Sequence, residues 1–256
     1  MRKLLFVAGD PIKDTYLTVD ENNKFLEKET LPGGALNTYS NAVAINSENN
    51  VEVLWLTPEL NHFYEIFRIN EKIVHPHSNV VKKNFYFRKN LRESLLSNID
   101  AVSFTNVKAS ALLLSDYNKG FLNSVNRFIV KSKFDYLILD SKYRSINLNF
   151  LQYGKIKIWR CTGSEYDDSF AKNFDIVVWT DGPNPIKIFK NHTLAFTAVV
   201  PRSEVIDTCG AGDTFTAALI SALLEDYSLE DAILFSIKAS ANVIQRLRTQ
   251  TTNIKL

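Results

Sequence analysis

The sequence predicts an α/β protein with a doubly wound, mostly parallel sheet and a small β lid. Three observations favour this class. Short apolar runs that end in turn residues alternate with longer helical stretches, as a parallel sheet with crossover helices requires. The 256 residues are 45% hydrophobic and 23% charged, which suits a single domain with a sizeable core. Residues 12–30 and 80–89 are more polar and are predicted to form the lid.

The elements of the first half are predicted from the points where apolar runs meet turn residues. The first run stops at Gly9-Asp10-Pro11, which is typical of a buried strand ending in a turn. Pro32-Gly33-Gly34 is expected to break the chain before a helix. Residues 58–110 carry little local pattern apart from one strand. The predicted strands are residues 3–7, 15–19, 24–30, 51–56 and 80–88, and the helix is residues 35–45.

The second half has a clearer rhythm of strands and helices. Lys190-Asn191 is expected to turn a hairpin near the end of the sheet. In sheets of this kind, ligands bind beyond the carboxyl ends of the strands. The predicted strands are residues 111–115, 136–140, 156–160, 176–180, 186–189 and 193–198, and the helices are residues 121–130, 214–224 and 229–247.

Charge and composition exclude several functional classes. The net charge is +2, which predicts neither a nucleic-acid nor a membrane partner. The chain has no apolar run long enough to span a bilayer, and residues 3–8 are too short for the core of a signal peptide. The two cysteines, Cys161 and Cys209, could form at most one disulfide. This low cysteine content favours a cytoplasmic location.

Residues 207–214 carry the strongest chemical signal, and they read Asp-Thr-Cys-Gly-Ala-Gly-Asp-Thr before an apolar helical segment. Two glycines at a helix start let backbone amides converge without Cβ interference, and with the helix dipole they form an anion site. A carboxylate there would repel a phosphate. Asp213 is therefore expected to accept a proton from a hydroxyl while the amides of Gly210, Ala211 and Gly212 hold a transferring phosphoryl group.

Other interpretations of this segment fit less well. A dinucleotide-binding fingerprint would need a third glycine where Phe215 stands, and it would normally open the first strand–helix unit. The chain has no Gly-x4-Gly-Lys-Ser/Thr loop. The bland alternative is a helix-capping turn in which Asp213 only stabilises the helix start.

The segment resembles the carboxy-terminal signature of the ribokinase/PfkB family of sugar kinases. Residues 32–37, Pro-Gly-Gly-Ala-Leu-Asn, are similar to the family's Gly-Gly sugar motif. Within the family, the likeness is closest to bacterial D-glycero-D-manno-heptose-7-phosphate kinases. It rests on Gly9-Asp10 with Asp14-x-Tyr16, on Ser-Asp-Tyr-Asn-Lys-Gly at residues 115–120, and on Asp-Ser-Lys at residues 140–142. These matches keep the family's order over most of the chain.

The resemblance implies transfer of the γ-phosphoryl group of ATP to a sugar or sugar-phosphate hydroxyl, with Mg²⁺. It implies Asp213 as the base and Gly210, Ala211 and Gly212 as the anion hole. It also implies a lid that covers the sugar and can pair with a second subunit, hence a homodimer. The other implied positions are Asp14, Gly33, Gly34, Asn37, Asp116 and Lys142 for the substrate, Thr180, Asp181, Gly182 and Asn242 for the nucleotide, and Glu165 for the metal and its water.

Several positions depart from the family pattern, mainly on the nucleotide side. Thr162 replaces the asparagine of the Asn-x-x-Glu motif, Pro185 replaces a nucleotide-loop glycine, and Ser141 replaces a proline. Another family substrate, such as fructose or a nucleoside, and a non-catalytic sugar-binding or assembly protein therefore stay open. Taken alone, Asp116 could equally cap a helix, and Lys142 would be a solvated loop charge.

Overall fold

The computed structural model of the protein describes residues 2–19, 25–56, 64–71, 82–87, 107–118, 121–122, 133–141, 143–144 and 146–256. Its strands are β1 (Arg2–Gly9), β2 (Pro11–Val19), β3 (Phe25–Gly34), β4 (Val51–Leu56), β5 (Tyr64–Glu71), β6 (Lys82–Phe87), β7 (Val107–Asp116), β8 (Phe134–Ser141), β9 (Gly154–Thr162), β10 (Ile176–Asp181), β11 (Asn184–Lys190) and β12 (Thr193–Ala198). Its helices are α1 (Ala35–Ile45), α2 (Asp168–Ala171), α3 (Ala211–Leu224) and α4 (Leu229–Ile244), with 3-10 turns at Leu148–Tyr153 and Gly163–Glu165.

The main sheet has eight strands in the order β12-β11-β10-β9-β8-β7-β1-β4. The strands from β4 through β10 pair in parallel, and only the β10-β11-β12 meander at one edge is antiparallel. This arrangement confirms the predicted mostly parallel sheet and its terminal hairpin.

Both faces of the main sheet are buried. On β1, Leu5 and Val7 contribute to one apolar cluster, whereas Leu4 and Phe6 contribute to the other, as the alternation of side chains along a strand requires. The first cluster includes the apolar side chains of α1, α3 and α4. The second contains many aromatic rings, among them Trp159 at the centre of a group of edge and stacked contacts. Burial on both faces explains why these strands are continuous apolar runs.

A second sheet has the order β3-β2-β5-β6. Strands β2, β3 and β6 of this sheet come from the two segments that were predicted to form the lid. β5, which pairs in parallel with β2 and antiparallel with β6, was not predicted. The expected break at Pro32-Gly33-Gly34 was wrong in one respect, because β3 continues through Gly34, and Gly33 pairs with Ile12.

The two carboxy-terminal helices pack on the site side of the sheet. Helix α3 lies between α1 and α4, and its side chains are almost all buried. Helix α4 ends at Ile244, three residues before the predicted end, and Arg248 then adopts a positive φ of 68°. Most of the helix predicted over residues 121–130 lies outside the described residues. Among the described helices, none is long and apolar enough to cross a membrane.

Candidate active site

The carboxyl ends of the central strands carry a row of polar side chains. Asp116 ends β7 and lies opposite Ser141 of β8, while Asp140 lies opposite Arg160 of β9. The Thr216 hydroxyl of α3 donates a 2.6 Å hydrogen bond to Oδ2 of Asp140. The beginning of α3 is therefore tied to this edge of the sheet, where ligands bind in parallel α/β proteins.

Asp213, in the first turn of α3, is 4% exposed. Its Oδ2 accepts a 2.9 Å hydrogen bond from Nδ2 of Asn37, and its Oδ1 accepts a 2.7 Å bond from the Tyr117 hydroxyl. Burial raises the pKa of Asp213 to about 6, although the two hydrogen bonds oppose that rise. The raised pKa makes the carboxylate a stronger base than that of an ordinary aspartate, as suits a general base.

The turn before α3 needs glycine at two positions for different reasons. Gly210 has a φ of 80°, in the left-handed region, and a Cβ there would lie 2.5 Å from Nδ2 of Asn37. A Cβ on Gly212 would lie 2.8 Å from Nη1 of Arg160. The Ala211 amide donates a 3.3 Å hydrogen bond to the Thr208 carbonyl. The other amides of the first helical turn have no acceptors within the helix, so this turn can present N–H groups to an anion.

Asp207 anchors the glycine turn that precedes α3. Its Oδ1 accepts a hydrogen bond of 2.9 Å from the Cys209 amide, and its Oδ2 accepts one of 3.0 Å from the Arg248 amide. The first aspartate of the motif thus joins the anion turn to the chain that follows α4. This role of Asp207 was not predicted from the sequence.

A small cleft opens beside Asp213. It is lined by Ile12, Asp14, Gly34, Tyr117, Gly210, Asp213 and Thr249. Of the predicted substrate residues, Asp14 and Gly34 line this cleft directly. Gly33 lies so close to Asp14 that a Cβ would be 2.5 Å from its Oδ2, and Asn37 reaches Asp213. The structure thus brings together the predicted substrate residues of the lid strands and α1 with Asp213 of α3.

Asp116 is buried at the end of β7, but it does not line that cleft. Its Oδ2 accepts a 2.6 Å hydrogen bond from the Ser141 hydroxyl, and its Oδ1 accepts a 3.1 Å bond from the Asn118 amide. Burial raises its pKa above the usual value. In this structure Asp116 shapes the loop after β7, and its predicted contact with a substrate stays a prediction. Lys142 lies outside the described residues.

The three predicted residues of the nucleotide loop differ in their surroundings. The Thr180 hydroxyl accepts a 3.1 Å hydrogen bond from Nη2 of Arg160 and donates one of 3.2 Å to the Cys161 carbonyl, so Thr180 belongs to the row of polar strand ends. Asp181 is the last residue of β10 and accepts a 3.0 Å hydrogen bond from Nδ2 of Asn184, and Gly182 follows it in the exposed turn before β11. A nucleotide contact at this turn stays a prediction.

Glu165 and Asn242 both have structural contacts. Oε2 of Glu165 accepts a 2.7 Å hydrogen bond from the Thr162 amide and completes a capping box on the 3-10 turn after β9. Oδ1 of Asn242 accepts bonds from Arg246, Thr252 and the Asn253 amide, which fasten the carboxy-terminal segment onto α4. The predicted metal role of Glu165 and adenine contact of Asn242 stay predictions.

Arg160 is the main site residue that was not predicted from the sequence. Its guanidinium is buried and lies 3.2 Å from Asp140 and against Gly212. The only signal in the sequence was a basic residue near the end of an otherwise apolar strand. Tyr117 was also missed as a partner of Asp213, although it stands inside a segment that carried the family resemblance.

The chain is similar to known sugar kinases. The family described as "pfkB family carbohydrate kinase" matches residues 166–256. An uncharacterized sugar kinase of Buchnera aphidicola subsp. Schizaphis graminum is 24% identical over 299 aligned positions, which cover 98% of this chain and 94% of that protein. The bifunctional protein HldE of Histophilus somni is 26% identical over 301 positions, covering 98% of this chain. This chain spans 62% of the bifunctional protein's length.

A solved structure shows the same architecture. Arabidopsis thaliana ribokinase, complexed with ribose and ATP, superposes with a TM-score of 0.62 at 16% identity, over 99% of this chain and 97% of the ribokinase. At that identity the likeness establishes the ribokinase-like fold. The matched segment 166–256 contains the glycine turn, Asp213 and all of α3. The carboxy-terminal third of the chain, which carries these features, is thus similar to the pfkB family of carbohydrate kinases.

Proposed function

We propose that this carbohydrate kinase transfers the γ-phosphoryl group of ATP to a hydroxyl of a sugar or sugar phosphate, with Asp213 as the general base. One observation carries the proposal. A buried carboxylate with a pKa of about 6 lies in the first turn of α3, beside the glycine turn and at the wall of a polar cleft. A base and a set of anion-binding amides are the two parts that this reaction needs.

The glycine turn before α3, which is the proposed anion hole, supports the proposal that the phosphoryl donor is a nucleotide. The turn Gly210-Ala211-Gly212 presents the positive end of α3, and no side-chain capping bond forms at Gly210. ATP as the phosphoryl donor is supported by the ribokinase-like fold, since the Arabidopsis relative was solved with ribose and ATP. Thr180, Asp181, Gly182 and Asn242 are the proposed nucleotide contacts.

The acceptor would lie in the cleft, with its hydroxyl against Asp213. Asp14, Gly33, Gly34 and Asn37 would hold other hydroxyls, while Asp116 and Lys142 would contact the far end of the substrate. The cleft has a volume of about 40 Å³, which is room for a few water molecules. Ile12 and Asp14 of β2 and Gly34 of β3 line this cleft, so the lid strands would cover a bound sugar.

In the chemical step, Asp213 accepts the proton of the attacking hydroxyl. The hydroxyl oxygen forms a bond to the γ-phosphorus while the bond between that phosphorus and the bridging oxygen breaks, and ADP leaves. The amides of α3 hold the charge on the phosphoryl oxygens during transfer. Asn37 and Tyr117 keep the carboxylate oriented toward the cleft until the substrate hydroxyl approaches.

Mg²⁺ is proposed to arrive with the triphosphate and to be held mainly by phosphate oxygens and water. Among the described residues no cluster of three ligating side chains occurs. Glu165 is a carboxylate after β9 that already uses Oε2 on the Thr162 amide. A site of one carboxylate plus phosphates and water is usual for Mg²⁺, which would neutralise phosphate charge there. Glu165 is proposed to orient the water around it.

The preferred acceptor is a heptose phosphate or a sugar of similar polarity. The support is the resemblance of residues 115–120 and 140–142 to heptose-7-phosphate kinases. The polar Asp10, Asp14 and Asn37 favour a polyol over the flat ring of a nucleoside base. The bonds of Asp10 to the Tyr117 and Phe121 amides, however, make it part of the scaffold.

A phosphotransfer assay with ATP, Mg²⁺ and a panel of sugars and sugar phosphates tests the proposal. We expect turnover with at least one heptose or hexose phosphate. Turnover only with fructose or a nucleoside would support the proposed kinase activity but would change the assigned substrate. Sugar binding by calorimetry without any turnover would instead support a non-catalytic binding or assembly protein, which the substitutions Thr162 and Pro185 motivate.

A homodimer through the lid also belongs to the proposal. In the described part of the chain, β3 and β6 are the outer strands of the second sheet. Outer strands present unpaired backbone groups, and pairing with a second copy would cover them. Sedimentation velocity should give twice the mass of the monomer. A monomeric mass at all protein concentrations would contradict the proposed dimer.

A further inference from the structure

Arg160 is a buried cation that the proposed mechanism does not use. It stands near the end of β9 and is 8% exposed. Its neighbours in the same strand, Trp159 and Cys161, are buried in the apolar cluster on the opposite face of the sheet. A guanidinium is seldom placed at such a depth unless it has a partner, because desolvation disfavours the charge.

The protein partners of Arg160 leave part of its hydrogen-bonding capacity unused. Nη1 donates to Oδ1 of Asp140 at 3.2 Å, and Nη2 donates to the Thr180 hydroxyl at 3.1 Å. Within the part of the chain that the structure describes, Nε has no hydrogen-bond partner although it is buried. A guanidinium carries five N–H donors, so this one is incompletely satisfied. An additional acceptor would complete it.

The position of the guanidinium indicates what that acceptor is. A Cβ on Gly212 would lie 2.8 Å from Nη1, 2.9 Å from Nη2 and 3.1 Å from the central carbon. The guanidinium therefore packs against the first turn of α3, the same turn whose amides form the proposed anion hole. Helix amides and a buried arginine that converge on one place are complementary to an anion with several oxygens, such as a phosphoryl group.

The charge balance of the site supports the same conclusion. Asp116, Asp140 and Asp213 are all buried at this edge of the sheet. A triphosphate that approached these carboxylates alone would be repelled. Burial acts to lower the pKa of Arg160, but the attraction of Asp140 outweighs it and the net pKa is raised, so the guanidinium stays charged. Arg160 is thus a permanent positive charge beside the helix turn.

We propose that the Arg160 guanidinium binds the phosphoryl group that the α3 amides hold, and stabilises its negative charge during transfer. The proposal rests on the proposed function, since it adds a catalytic residue to that same site. Arg160 neither gains nor loses a proton; it donates hydrogen bonds to phosphoryl oxygens while Asp140 keeps it in place. Its position explains why residue 212 must lack a Cβ in this chain.

The alternative is that the Arg160–Asp140 pair only joins β9 to β8. Three variants separate the two roles. Arg160→Met removes the charge, Arg160→Lys keeps a charge but loses the planar fork, and Lys157→Met removes the ion pair of another basic residue on β9 as a matched control. The first measurement is the dissociation constant of a non-hydrolysable ATP analogue with Mg²⁺, which requires no turnover. The second is kcat and KM with ATP, and the third is the melting temperature without ligand.

We expect Arg160→Met to weaken analogue binding by roughly tenfold or more, which corresponds to about 1.4 kcal/mol, and to lower kcat further. Arg160→Lys should retain the melting temperature while kcat falls by at least about tenfold, because an ammonium cannot donate in the bidentate geometry of a guanidinium. Lys157→Met should bind the analogue as the unmodified protein does.

The inference is overturned if a folded Arg160→Met binds the analogue and turns over like the unmodified protein. Should that variant not fold, Arg160→Lys decides, and unchanged affinity and kcat overturn it equally. Analogue binding by the unmodified protein without phosphorylation of any sugar would contradict the proposed function while still testing Arg160. If the unmodified protein does not bind the analogue, both proposals fail.

Discussion

The hydroxyl of Tyr117 donates a 2.7 Å hydrogen bond to Oδ1 of Asp213, although the two residues are 96 positions apart. Asn37 occupies the other oxygen of the same carboxylate. Both oxygens of the proposed base thus have protein partners before any substrate enters. An acceptor hydroxyl must share an oxygen with one of them or displace it, which makes Tyr117 and Asn37 positioning residues for the base.

The substitution Asp213→Asn tests the base directly. Asparagine keeps the shape and can still accept from Asn37, but it cannot take a proton. We expect the rate of phosphotransfer to fall by roughly 10²–10⁴-fold with little change in sugar affinity. Single-turnover kinetics and calorimetry check the two halves of this expectation. A loss below tenfold, under conditions where chemistry limits the rate, would show that another group takes the proton.

The same substitution should change how stability depends on pH. Burial raises the pKa of Asp213 to about 6 in the folded protein, above the usual value of 3.8. A raised pKa means that the carboxyl group contributes its full stability below about pH 4, and that this contribution is lost as the pH rises through 6. At pH 8 the loss amounts to about 3 kcal/mol.

Asp213→Asn does not ionise and should therefore be more stable than the unmodified protein at pH 8, by up to that amount. The difference should shrink as the pH falls to 4. Urea unfolding at the two pH values measures it. Equal stability of the two proteins at pH 8 would contradict the raised pKa.

Tyr117→Phe should move the pH profile of the reaction. The hydrogen bond from Tyr117 lowers the pKa of Asp213, so its loss raises that pKa further. A hydrogen bond to a charged group contributes about 1.5–3 kcal/mol, so the acidic limb of kcat should shift upward by on the order of one pH unit. Tyr227→Phe, at an exposed tyrosine, is the control and should leave the profile unchanged. An unshifted limb in Tyr117→Phe would mean that this contact does not tune the base.

Glu165→Gln tests the metal role without disturbing the local fold. Glutamine retains a side-chain oxygen that can accept from the Thr162 amide, so the 3-10 turn after β9 should persist. Only the negative charge is lost. We expect the Mg²⁺ concentration for half-maximal rate to rise at fixed ATP, with Glu204→Gln at an exposed position as the control. An unchanged Mg²⁺ dependence would remove Glu165 from the site.

Local pattern was sufficient to predict most of the main sheet, because strands buried on both faces are continuous apolar runs that end in turn residues. Helix α1 and strand β4 have the bounds that were predicted. β5 was missed because Tyr64–Glu71 is mixed in polarity and is held by pairing with β2, about fifty residues earlier. Such a strand is defined by its partners and leaves little local signal.

In the candidate site, too, the residues that lie within one short segment could be predicted from the sequence, whereas those brought together by the fold could not. The glycine turn and Asp213 form one short segment, so their chemistry could be inferred together. Arg160 required the register of β8 and β9, which places Asp140 opposite it, and the docking of Gly212 on its guanidinium. Neither is encoded within a few residues of position 160. A lone arginine at a strand end is otherwise most simply interpreted as solvated.

The last prediction concerns how the lid is held to the rest of the site. Tyr16 of β2 is buried, and its hydroxyl accepts a 3.1 Å hydrogen bond from the Thr249 amide. The guanidinium of Arg248 lies 5.3 Å from the centre of the Tyr16 ring and forms an ion pair with Glu29 of β3. Since the Arg248 amide also bonds to Asp207, one residue links both lid strands to the anion turn.

Arg248→Ala should loosen the lid without moving the backbone. Residue 248 has a positive φ, and alanine meets the same steric cost there as arginine, so only the side-chain contacts are lost. A partly exposed ion pair and a cation–ring contact contribute about 0.5–1 kcal/mol each. We therefore expect KM for the sugar to rise about fivefold or more, with a smaller fall in kcat. A less firmly closed lid should also admit water, so ATP hydrolysis relative to sugar phosphorylation should increase. The exposed Arg202→Ala is the control and should change neither quantity. If Arg248→Ala keeps both the sugar KM and the hydrolysis ratio of the unmodified protein, the link between the lid and the anion turn does not govern closure.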